Sequence, residues 1–110
     1  MTTDIPQGVP APSRLWDQFK SLVLERIAIM EQAAVALGSG SLEEGLRRRA
    51  EIEAHRLAGS LGSIGFPEGT RISREIEGLL HETAILSRER ALQLSSLVAA
   101  LRQALPQEPA

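Results

Sequence analysis

The feature that most restricts what this chain can fold into is the spacing of its apolar residues, which return at steps of three and four in four separate segments. Trp16, Phe19, Val23, Ile27, Met30, Ala34 and Leu37 make the first stripe. Leu46, Ala50, Ala54, Leu57, Leu61 and Ile64 make the second, Ile72, Ile76, Leu79 and Leu80 the third, and Ala91, Leu94, Val98, Leu101 and Leu105 the fourth. That period matches the turn of an α-helix and not the two-residue repeat of a strand, and each stripe needs a neighbour to cover it. Aromatic residues are only 3% of the chain, which leaves the core to Leu, Ile, Val and Ala, a set suited to helix on helix. Short connections between amphipathic helices favour antiparallel neighbours. The expected fold is therefore all-α, an antiparallel up-down-up-down four-helix bundle, to which the leader could add a short extra helix.

Turn residues set the expected boundaries. Pro6, Gly8, Pro10 and Pro12 make residues 1–12 a flexible leader, residues 13–105 form the bundle, and Pro106 and Pro109 mark 106–110 as a flexible tail. Ser13 is placed to cap the first helix, and Gly38-Ser39-Gly40 stops it. Ser41 and Glu44 have capping-box spacing at the start of the second helix, which Gly65-Phe66-Pro67 ends. The third helix ends between His81 and Ser87. At 110 residues this is one domain, and proline-rich ends fit a module of a longer chain as well as a free-standing protein.

The same composition removes several function classes. Cysteine is absent, so disulfides and thiolate metal sites are excluded and a reducing, cytoplasmic setting is expected. A formal charge of -2 gives no general attraction to nucleic acid or to an anionic membrane, and no apolar run reaches the roughly 20 residues that span a bilayer. No glycine-rich phosphate loop follows a strand, so neither ATP binding nor autonomous kinase activity has support. Neither His55 nor His81 has a second ligand at metal-binding spacing, so no bound metal or other cofactor is expected, and the domain should be monomeric.

One place in the second helix breaks the pattern. Gly59 and Gly62 each forfeit about 1 kcal/mol relative to Ala in a helix interior, a loss that asks for a compensating reason. At about 100° per residue, Arg48, Ile52, His55, Gly59 and Gly62 fall along one line, roughly opposite the core stripe centred on Leu57 and Leu61. His55 should thus face water with bare backbone on its C-terminal side, where a partner can come close; this placement argues against a helix crossing at the two glycines. Ile52 on the same wet face suits a docking contact, and Glu53 falls at the margin of the buried stripe. An exposed imidazole is mostly neutral near pH 7 and keeps a free lone pair, which makes it a nucleophile toward phosphorus. Phosphoryl transfer needs in-line positioning and charge stabilisation, so a partner would bring the metal and most of the active site. Blander readings fit the rest: His81 as a helix-end histidine, Arg47-Arg48-Arg49 as a solvated face among glutamates, Trp16 and Phe19 as packing.

Ala54-His55-Arg56-Leu57-Ala58-Gly59-Ser60, followed by Leu61-Gly62-Ser63-Ile64-Gly65-Phe66, resembles the signature of histidine-containing phosphotransfer (HPt) domains. The long helix before it and the turn into Arg71-Ile72-Ser73-Arg74-Glu75-Ile76-Glu77 also fall where that family has them. The resemblance implies that His55 accepts a phosphoryl group from the aspartate of a response-regulator receiver domain, which carries Mg, and donates it to another; a histidine kinase is a further expected partner. Gly59 would leave room for the receiver. With Arg48, Ile52, Arg56, Ala58 and Gly62 it makes the expected partner-binding set. The family's lysine three residues after the histidine is Ala58 here, so Arg56, Arg48, Arg71 or Arg74 would have to supply positive charge. The alternative is a docking module that binds a receiver or other signalling domain without carrying phosphate.

Overall fold

The computed structural model describes residues 12–82 and 87–107. The expected leader up to residue 11, its extra helix and residues 108–110 of the tail lie outside the described residues. Within them are four helices and no strand: α1 (Pro12–Gly38), α2 (Glu44–Ser63), α3 (Pro67–His81) and α4 (Arg88–Gln103). Contacts run α1 to α2, α2 to α3, α3 to α4 and α4 back to α1, with none across either diagonal. This is the four-helix bundle that the stripes imply.

The core is the stripes with few exceptions. Ile27, Met30, Leu57, Leu61, Ile76, Leu80, Leu94 and Leu101 are fully buried, one pair from each helix, and Ala50 and Ala54 let α2 lie close to its neighbours. A Leu→Ala change at such a position forfeits about 2–5 kcal/mol, so these pairs fix which face each helix turns outward. Phe19 departs from its expected place: it is 38% exposed and sits with exposed Leu22 on the flank of α1 next to α2. Trp16, by contrast, is buried with its ring edge-on to Phe66, centroids 5.7 Å apart.

Two glycines close helices in the left-handed conformation that other residues avoid. At the end of α2, Gly65 has φ +95°, the Phe66 amide donates to Leu61 O at 2.8 Å and the Gly65 amide to Gly62 O. Gly40, φ +71°, ends α1 with the same pair of bonds, Ser41 N to Ala36 O and Gly40 N to Leu37 O. Pro67 then starts α3 at a position where its missing N–H is no loss. Two expected caps are corrected. Helix α1 begins at Pro12, so Ser13 lies inside it. Helix α2 begins at Glu44 with no side-chain cap, because the Ser41 hydroxyl donates backward to Ala36 O. Ser87 does cap α4, accepting from the Arg90 amide. Leu105 is buried, and the Gln107 amide group donates to Arg102 O and Leu105 O, so the ordered chain runs past Pro106.

Candidate functional site

Helix α2 has two neighbours, α1 and α3, and a ridge between them that faces water. His55 stands on this ridge with its side chain 74% exposed. The registers on either side follow from the helical turn. Toward α3, the Thr70 hydroxyl donates to Ala58 O at 2.7 Å, and Glu51 meets His81. Toward α1, Glu53 meets Arg26, and Ser60 and Ser63 border Phe19 and Leu22.

The imidazole is oriented by α3. His55 Nδ1 lies 2.9 Å from Glu77 Oε2. An ionised carboxylate only accepts, so Nδ1 carries the proton and donates. The other ring nitrogen, Nε2, is then the one left with the lone pair, on a side chain that is largely exposed. Glu77 is the functional side chain that sequence reasoning missed. Its only signal is a periodic one, one turn after Ser73 on α3, and the crossing of α2 and α3 decides what it meets.

The expected partner-facing residues separate into two groups. Arg48, Ile52, His55 and Arg56 line one shallow pocket together with Glu51 and Glu77, and Ile52 is 39% exposed. Gly59 joins His55 and Arg56 in an adjoining open depression with Arg26, Ser60 and Ser63, and a Cβ added there would meet nothing within 4 Å. The other two expectations need correction. Ala58 is buried and offers a partner no side-chain surface, because its position turns it under α3. Gly62 is exposed, yet a Cβ on it would come 3.1 Å from Thr70 Oγ1, so this glycine serves a close helix approach as well as openness.

The cations around the ridge differ in freedom. Arg47 is no solvated charge: it pairs with Glu44 and Glu51, donates to Leu80 O, and hydrogen bonding by Glu44 ahead of Glu51 raises its pKa. Arg71, one of the expected stand-ins for the lysine, is engaged by Glu68 and Glu75 on its own helix. Among the described residues Arg56 pairs only with Glu53, at 3.7 Å, and Arg48 lines the histidine pocket. Arg26 of α1 lies 3.2 Å from Glu53 Oε1, off the direction a hydrogen bond needs, so that buried oxygen has no donor among the described residues. Among the described residues no three His, Cys, Asp or Glu side chains are placed to hold a metal ion, and no helix is long and apolar enough to cross a membrane.

Chemically, the ridge offers one oriented imidazole, cations beside it and a strip of bare backbone. The sequence profile of the Hpt domain matches residues 14–107. Protein RcaC of Microchaete diplosiphon is 31% identical over 88 residues, 80% of this chain; the chain spans 14% of that protein's length. No solved structure matches the chain.

Proposed function

The chain belongs to the Hpt domain family, and from that membership we propose that it is a histidine phosphotransfer module of a two-component phosphorelay, with His55 as the residue that carries the phosphoryl group. The observation that carries this reading is the imidazole itself: exposed, held through Nδ1 by Glu77, and lining one open depression with the uncovered backbone of Gly59.

The Nε2 lone pair attacks phosphorus of an aspartyl phosphate on a receiver domain. The N–P bond forms as the P–O bond breaks, and the bonding pair leaves with the aspartate carboxylate. No proton need leave Nε2, because none is there. The ring gains positive charge as the bond forms, and the Glu77 carboxylate next to Nδ1–H offsets it. The reverse sequence hands the group to a second receiver. Magnesium belongs on the receiver, and a histidine kinase is a further partner that this site suits. The receiver is proposed to dock over the ridge, touching Ile52 on one side and Phe19 and Leu22 on the other, with Gly59 admitting its loop to the imidazole.

A receiver phosphorylated with 32P, with Mg, should label the wild-type chain and leave His55→Gln unlabelled. The adduct should be lost in acid and survive base, as a phosphoramidate does. Label on His55→Gln would place the acceptor elsewhere. A wild-type chain that binds the receiver without being labelled would establish the docking-only alternative.

A further inference from the structure

We infer that Arg26, on α1, is the cation that closes on the phosphoryl group when His55 carries it, and that Glu53 holds Arg26 in waiting until then. The inference rests on the proposal that His55 is phosphorylated.

Three observations converge on this assignment. First, Nδ1 of His55 is committed to Glu77 on α3, which leaves Nε2 as the free ring nitrogen, and His55 lines a depression with Arg26, Arg56, Gly59, Ser60 and Ser63 that Glu77 does not border. A phosphoryl group on Nε2 would sit in or above that depression. Second, past His55 the exposed line of α2 carries only Gly59 and Gly62, and Arg48, earlier in that line, lines the pocket on the Glu77 side and not this depression, so charge here comes from Arg56 or from another helix. Third, Arg26 is close but not fastened. Its contact with Glu53 lacks hydrogen-bond geometry, Arg56 reaches the same carboxylate only at 3.7 Å, and Glu53 Oε1 is buried without a donor.

Glu53 is thus a single negative charge shared loosely by two guanidinium groups at the edge of the site. A phosphoryl group brings close to two negative charges and three acceptor oxygens, which match the planar fork of arginine. Arg26 and Arg56 can swing from the carboxylate to those oxygens without repacking the core, since both already line the depression. Arg26 is the more telling of the two. It lies on a different helix, so its engagement ties α1 to the phosphorylated histidine and marks the Phe19–Leu22 flank as part of the same response.

The test uses potassium phosphoramidate as donor, so no receiver is needed: the P–N bond of the donor breaks, ammonia leaves, and the phosphoryl group passes to Nε2. The labelling rate and the lifetime of the adduct are followed by 31P NMR for the wild type, Arg26→Gln, Arg26→Lys, and the double variant Arg26→Gln/Glu53→Gln. Arg88→Gln, an exposed charge at the start of α4, controls for loss of a positive charge. Arg26→Gln should label about 10-fold more slowly than the wild type, Arg26→Lys should recover part of the rate, and the control should match the wild type. The double variant removes the carboxylate that Arg26→Gln leaves with only the more distant Arg56, so it should regain stability while remaining slow. If Arg26→Gln labels at the wild-type rate, or if the double variant regains that rate, Arg26 has no role at the phosphoryl group and the inference falls alone. A wild-type chain that takes no label overturns the phosphotransfer reading and the inference with it.

Discussion

His55 Nδ1 and Glu77 Oε2 meet at 2.9 Å across the junction of α2 and α3, the contact that settles which nitrogen of the imidazole is free. Without it the ring of an exposed histidine would rotate and exchange tautomers. With it, Nε2 is left as the nitrogen with the free lone pair, and in the proposed transfer the Glu77 carboxylate would offset the charge that develops on the ring. In metal sites, where a carboxylate likewise fixes a histidine's tautomer and ring orientation, losing that partner commonly costs a factor of about 10 to 100.

Glu77→Ala should therefore slow phosphoryl acceptance from a labelled receiver by about 10-fold or more, while Glu77→Gln, which still accepts from Nδ1, should lie between. Glu77 is at the surface edge of α3 and outside the core, so both variants should melt within a few degrees of the wild type. Equal labelling rates in all three proteins would show that Glu77 does not orient the acceptor.

Gly59 separates the needs of the fold from those of the partner. A side chain there meets only open space, and a helix interior prefers Ala by about 1 kcal/mol. Gly59→Ala should raise the melting temperature by about 4 °C or more. Gly59→Trp should still fold, yet lose receiver-dependent labelling because the indole covers the approach to Nε2. Thermal melts beside the labelling assay check both halves, and a Gly59→Trp protein with full transfer would remove the docking ridge from the account.

Acid should weaken the α2–α3 contact before it touches the core. Burial pushes the Glu51 carboxyl up, but hydrogen bonds from His81 and Arg47 outweigh this and hold it below the usual range. A carboxylate lowered in the folded state adds stability that is complete above its unfolded value, and the gain disappears as pH falls through the folded one. Stability should stay level down to about pH 5 and decline below that. Glu51→Gln should lower the melting temperature at pH 7 by about 4 °C, the equivalent of about 1 kcal/mol, and make the acid decline shallower. Melts between pH 7 and pH 3 test this; parallel curves for the two proteins would assign the decline to other groups.

The parts of this molecule that are legible in its sequence are those set by a single helix. The wheel of α2 places Leu57 and Leu61 inward, His55 and Gly59 outward and Glu53 at the margin, because 100° per residue is fixed by backbone geometry alone. What depends on how two helices cross is not legible in the same way. Glu77 is 22 residues from His55 and enters the site only through the α2–α3 register. Arg47 looks like one of three solvated arginines until Leu80 O and Glu51 appear beside it. Phe19 belongs to the α1 stripe by spacing, yet together with Leu22 and Arg26 it forms a second line of side chains, aimed at the flank of α2. Ser41 and Glu44 have the spacing of a cap, but the left-handed Gly40 turns the chain so that Ser41 serves the helix behind it.

The chain has one tryptophan, and its indole lies edge-on against Phe66, next to the glycine turn that closes the histidine helix. That lodging gives the protein a built-in optical reporter. Emission from Trp16 will follow whether the far end of α2 is seated on α1, with no dye attached and no phosphate involved, so the integrity of the scaffold can be watched in every variant while the chemistry is measured separately.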